Sequence, residues 1–302
     1  GELLRALRLA SLQGLRAEDY HLQRIEELLF LVQAARQGTA PVDLDNCISL
    51  DILLTDAFFL YASHLLGGRV DPETIHSNWV AFYPTADLAG TLRRALDQGT
   101  VYDTLMAMVP PHAGYRQLAA KLAEYRSIAR SGSLPMLKIQ KSLRLGDRAQ
   151  ELRLVRRKLR LLGDLGDENT GPPGGQEEFT PVLETAVKRF QERHGLAVDG
   201  IVGPNTTAAL NVPLADRVRQ IEINLERWRW IPNDLGQRCI LVNIAAFELN
   251  VREDHRSVTR MRVVVGRDYR KTPVFSKDME YVVINPYWNV PRSIAVKDLL
   301  PK

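Results

Sequence analysis

The sequence predicts a multi-domain α+β chain: an all-α helical part, a compact three-helix module, and then the opening portion of a mainly-β domain. Three observations carry this. Apolar residues recur at helical spacing, with charged residues between them, as far as Leu210. A Gly/Pro-rich stretch, GDENTGPPGGQEE, interrupts that pattern. From Arg238 the period falls from 3.6 to 2, the alternation of a strand.

Taken in order, positions 1–136 read as a helical scaffold. GELLRALRLASLQGL opens as a helix; a secretory leader would need a charged start, an apolar run and a small-residue cleavage site. Tyr20 to Gln37 places Leu22, Ile25, Leu28, Leu29 and Val32 on one face, and Gly38 stops it. Ile48 to Leu66 is the most apolar run, yet it carries Asp51, Asp56 and His64, so it reads as a buried core helix and not a membrane span. Asp71-Pro72 starts another helix, with aspartate as cap and proline in the first turn. Further helices are expected over Thr85–Gln98, Tyr102–Met108 and Ala113–Arg130.

Positions 137–212 read as the compact module. Gly146-Asp147 opens a helix with Leu152, Val155, Leu159 and Leu162 on one side and Arg153, Arg156, Arg157, Lys158 and Arg160 on the other, taken as a solvated face. Thr180-Pro181 starts a second helix, ended by Gly195. Asp199-Gly200 makes a turn, and Gly203-Pro204 leads into a third, short helix. A linking helix over 213–236 follows, and then the β portion, 237–302. There CILVNIAAFELNVRED reads as a strand, SVTRMRVVVG as its hairpin partner across Glu253 to Arg256, and MEYVVINP as a third strand.

The 302 residues are enough for two or three domains, and 45% hydrophobic with 25% charged residues is ordinary for a globular chain. The formal charge of +4 is compatible with an anionic polymer, whether cell wall or nucleic acid. The only support for nucleic acid is the basic helix around Arg153 to Arg160, which a solvated face explains better, so no nucleic-acid partner is expected. Cys47 and Cys239 form no zinc or disulfide pattern. The histidines, His21, His64, His76, His112, His194 and His255, show no paired metal spacing, so no metal and no cofactor are expected. Trp228 and Trp230 lie two residues apart and cannot share a helix face, so at least one is expected at a domain interface.

The run AVKRFQERHGLAVDGIVGPNTTAALN resembles the peptidoglycan-binding repeat of bacterial cell-wall enzymes. The matching positions are Phe190, Gln191, Gly195, Leu196, Asp199, Gly200, Gly203 and Thr206, with Ala209 and Leu210 behind them. Phe190, Leu196 and Leu210 would seal a small core and the glycines would allow tight turns beside it. The resemblance implies that these residues form the peptidoglycan-binding candidates.

LERWRW, VNI-x-x-F, VVVG-x-x-x-R-x-TPVF and NPYWNVPRSIA resemble YcbB-like L,D-transpeptidases of the periplasm. That resemblance implies a YkuD-type catalytic domain, no cofactor, and cysteine acyl transfer between stem peptides, giving third-to-third cross-links and a carbapenem target. It implies a place in the cell envelope, with a parent protein anchored in the membrane by a segment N-terminal to these residues. Tyr287, Trp288, Asn289 and Pro291 would belong to the substrate cleft. The family's S-x-G-C-[VI]-R nucleophile motif and H-G-[TS] histidine do not occur here. Cys239 reads Arg-Cys-Ile on the first strand, and His194-Gly195-Leu196 ends a helix of the binding module. The expectation is therefore a chain that stops before the nucleophile, carries no catalytic residue and is inactive alone. The alternatives are a non-catalytic peptidoglycan-binding envelope protein and a peptidoglycan hydrolase sharing the module.

Overall fold

The computed structural model describes residues 1–302 except 40, 42, 76–85, 131, 133, 167–174, 255, 268–270, 297–299 and 301–302. His76, His255, Thr85 and most of the expected Gly/Pro loop therefore lie outside the described residues.

The scaffold is built on α1 (Glu2–Arg8), α2 (Leu22–Arg36) and α3 (Leu44–Gly67), followed by the single turn α4 (Pro72–Ile75), α5 (Leu88–Gln98), α6 (Val101–Ala107) and α7 (Ala113–Arg130). Side-chain caps start several of them: Asp43 accepts the Asp45 amide (3.0 Å), Asp71 that of Glu73 (2.8 Å) and Asp87 that of Gly90 (2.9 Å). One face of α3, with Ala57, Phe58, Tyr61, Ala62 and Leu65, closes on Leu7 from α1 and on Ile25 and Leu28 from α2. Each such leucine or phenylalanine is worth about 1.5–3 kcal/mol over leaving it in water. The 24 residues of α3 are long and apolar enough to cross a membrane by length and composition. One face of α3 is in this core, but only a third of its most apolar window is buried, and Leu44, Ile48 and Ile52 are exposed.

The module contains α8 (Glu151–Leu161), α9 (Pro181–Arg193) and α10 (Pro204–Asn211). Leu152, Val155, Leu159, Leu183, Val187 and Phe190 make its own core. The solvated basic face expected on α8 holds only in part. Arg153 and Arg157 are exposed, but Arg156 and Lys158 are buried. Arg156 donates to the Glu178 carbonyl (2.7 Å), and Lys158 to the Leu210 carbonyl in the last turn of α10 (3.1 Å). Long cationic side chains bury their stems and bring the charge to open carbonyls at the helix end.

The chain then returns to the scaffold. Helix α11 (Leu214–Arg229) lies along α7, with Leu225 buried against Tyr115 and Leu122. Its LERWRW end is dense with scaffold contacts. Arg229, 1% exposed, pairs with Glu226 (2.8 Å), donates to the Tyr115 hydroxyl (2.9 Å) and reaches the Gln13 carbonyl. Glu226 in turn accepts the Val70 amide (3.2 Å). A Cβ at Gly68 would fall 2.6 Å from the Trp230 Nε1, and one at Gly114 would fall 2.4 Å from Trp228. Both tryptophans thus pack on the scaffold, one on each side of α11.

The C-terminal sheet runs β1 (Arg238–Asn243), β2 (Glu248–Glu253) and β3 (Arg256–Arg262), antiparallel in that order, with Ile240 opposite Val251 and Val251 opposite Thr259. This corrects two expectations. CILVNIAAFELNVRED is not one strand but a hairpin, turned at Phe247 with φ +55°. MEYVVINP forms no strand: among the described residues it pairs with neither edge of the sheet, and a lone strand leaves its amides unpaired.

Candidate functional site

The Thr180 hydroxyl accepts the Leu183 amide (3.4 Å) and Pro181 fixes the first turn, so α9 begins where its sequence signals place it. Its inner face carries Leu183, Ala186, Val187 and Phe190 into the module core. Gln191 is buried as well, at 1% exposed. A buried amide must find partners or cost the fold about 1–3 kcal/mol. Gln191 finds them in the loop that follows and in the first turn of α10. Its Nε2 donates to the Asp199 carboxylate (2.7 Å), the Ile201 carbonyl (3.0 Å) and the Thr206 Oγ1 (3.1 Å). Its Oε1 accepts the Gly200 amide (2.8 Å).

Around this centre the loop closes on itself. Asp199 also accepts the Ile201 amide (2.8 Å), and these hydrogen bonds, the Ile201 amide first, hold its carboxyl below the usual carboxylate range. Thr206 donates to the Ile201 carbonyl (3.1 Å). Gly200 sits at φ +73°, where a Cβ would meet the Glu184 and Lys188 side chains at 2.8 Å. On the other side, the segment before α8 is stitched to the loop by a two-hydrogen-bond bridge between Leu143 and Val202 (3.2 and 2.9 Å). Leu143 points into the core, so its extended neighbours Ser142 and Arg144 point the opposite way.

Between these walls lies a cleft of about 470 Å³. Of the residues read from the sequence as binding candidates, Gln191, Leu196, Asp199, Gly203 and Thr206 line it. Phe190, Gly195 and Gly200 do not. Phe190 is wholly buried in the core, Gly195 ends α9 at φ +66°, and Gly200 makes the turn behind the loop. Sequence reasoning missed Lys141, Ser142, Arg144 and Asn205, which complete the lining with Ala197, Ile201 and Pro204. The only signal for the first three was the alternating KSLRL run, with its apolar Leu143 between outward residues.

The remaining candidates fall elsewhere. Tyr287 and Trp288 stand out into solvent at 96% and 70% exposed, and Asn289 and Pro291 are exposed beside them. His194 closes the C-terminus of α9, stacked on the Phe190 ring at 4.0 Å. Burial holds its imidazole below the ordinary histidine range. Cys47 lies on α3 packed against the scaffold core, and Cys239 on β1 opposite Arg252.

Comparison with known families divides the chain in three. "Scaffold domain" matches residues 1–122, "Putative peptidoglycan binding domain" matches 148–210, and "L,D-transpeptidase catalytic domain" matches 237–302. A Haemophilus influenzae protein named "Putative L,D-transpeptidase" is 37% identical over 84 residues, 28% of this chain and 17% of that protein. "N-acetylmuramoyl-L-alanine amidase CwlM" of Mycobacterium tuberculosis is 42% identical over 73 residues, 23% of this chain and 18% of that protein. The chain thus spans less than a fifth of the length of either curated relative. The cleft lies largely inside the segment matched as peptidoglycan-binding.

Proposed function

We propose, for a chain that joins scaffold, peptidoglycan-binding and L,D-transpeptidase catalytic domains, that it serves peptidoglycan cross-linking in the periplasm. The module of residues 137–212 holds the polymer. The scaffold of residues 1–136 and the helix over 213–236 carry the catalytic portion that begins at 237. The reaction is cysteine acyl transfer. A thiolate attacks the stem-peptide carbonyl that precedes the terminal D-alanine, the carbon–nitrogen bond breaks, and D-alanine leaves with a proton. The thioester is then taken by the side-chain amine of a second stem, which restores the thiol. The observation that carries the peptidoglycan reading is the cleft: five motif residues scattered over sixteen positions, Gln191 to Thr206, converge on one concave surface.

The acyl transfer needs a nucleophile activated by a base within hydrogen-bond reach. Among the described residues neither Cys47 nor Cys239 has a histidine hydrogen-bonded to it. We infer that the 302 residues by themselves form no cross-links, since the S-x-G-C-[VI]-R and H-G-[TS] motifs do not occur in them. The test pairs two assays on the purified chain. It should pellet with peptidoglycan sacculi, yet form no cross-linked product from tetrapeptide muropeptides, and its mass should stay near 34.1 kDa in the presence of a carbapenem. A carbapenem adduct on Cys239 would contradict the inactivity, and failure to pellet would contradict the binding.

A further inference from the structure

The lining of the module cleft is not neutral, and its charge selects among the parts of peptidoglycan. Lys141 and Arg144 both reach it, and both are exposed. Among the described residues neither side chain enters an ion pair, although the neighbouring Arg148 and Arg153 both do. Asp199 is the one carboxylate in the lining, and Gln191 and the Ile201 amide already engage it. The bridge between Leu143 and Val202 fixes the backbone that presents the two cations. Leu196 and Ile201 supply an apolar wall, and Asn205 an exposed amide at the start of α10. The volume, about 470 Å³, lies within the range of sites that enclose a small ligand. A cleft of that size has room for the end of a short peptide.

We propose that the cleft takes the free carboxylate end of a short peptide with small side chains, with Lys141 and Arg144 as its anion-binding pair. A peptidoglycan stem presents that chemistry, and an unsubstituted neutral glycan chain does not. The inference rests on the peptidoglycan reading of the module and narrows it from the polymer to one part of it. Arginine and lysine recognise a carboxylate through charge-assisted hydrogen bonds, and in a partly enclosed cleft these outweigh contacts to a neutral amide.

The test is equilibrium binding to the whole 302-residue chain of three probes: a synthetic stem tetrapeptide with a free C-terminal carboxylate, the same peptide as its C-terminal amide, and glycan strands stripped of stems. The acid should bind about tenfold tighter than the amide, the size of one charge-assisted contact. The preference should shrink as salt is raised. The double variant K141M/R144M, made at exposed positions, should keep the unfolding midpoint and lose the preference for the acid over the amide. Equal binding of acid and amide overturns the assignment of the two cations. Binding of stripped glycan with no binding of either peptide overturns the stem proposal while leaving the peptidoglycan reading intact. Failure of the chain to bind sacculi at all overturns that reading itself.

Discussion

Gln191 is a polar residue in an apolar place, and it stays there because three groups of the following loop and one of α10 meet its amide. Replacing it with leucine keeps the volume and removes every partner. The buried Gly200 amide would then lose its acceptor and the Thr206 hydroxyl one of its two contacts. At about 1–3 kcal/mol for such buried groups, Q191L should destabilise the module by about 2 kcal/mol or more. Urea denaturation followed by circular dichroism would show it as a lower midpoint, and an unchanged midpoint would mean that the loop is held by other contacts. The importance of Gln191, Asp199, Gly200 and Thr206 was legible in the spacing of the motif. Their division of labour was not: whether a motif residue faces ligand or core depends on a loop closure that spacing alone does not fix. Lys141 and Arg144 were illegible for a related reason, since a bridge to Val202, sixty residues away, brings them to the cleft.

Helices were the most legible elements because their signals are local. The Thr180-Pro181 start and the Gly195 stop lie within a few residues of the bonds they control. The strands were harder, because a strand exists only with a partner. The turn at Phe247 depends on a left-handed residue that is not glycine, so nothing in the alternation marked it. Helix pairing is equally non-local. Trp228 packs against Gly114, where a Cβ would come within 2.4 Å of the ring. Alanine is the better helix former, by up to about 1 kcal/mol in a helix interior and less in the first turn of α7 where Gly114 sits. The clash should cost about 1–3 kcal/mol, so the steric effect wins and G114A should lower stability. Thermal unfolding of G114A would check this, and a raised midpoint would show that Trp228 has room to move.

At the scale of the molecule, the return of α11 to α7 is what organises the chain. The binding module leaves the scaffold after α7 and hands the chain back at Pro213, and a pair of hydrogen bonds between Leu137 and Asn211 (2.8 and 2.7 Å) clasps the two crossings together. Arg193 adds a second tie, from Asp164 inside the module (2.6 Å) to the Tyr125 hydroxyl on α7 (3.2 Å). The first pair closes the two ends of the module on each other, the second ties the module to the scaffold, and the LERWRW end of α11 leads toward β1. The order of the three domains was legible from composition and period. The clasp was not, because its halves are separated by the whole module. A chain that binds a polymer with one domain and acts on it with another needs such a connection, and the central claim is that the polymer is held in the cleft. The most direct measurement fills it. Ala197 is exposed and lines the cleft, so A197W should block the site while leaving both cores intact. In co-sedimentation with sacculi, the unaltered chain should pellet and A197W should remain in the supernatant with an unchanged unfolding midpoint. A197W that pellets as well as the unaltered chain would show that peptidoglycan is bound elsewhere.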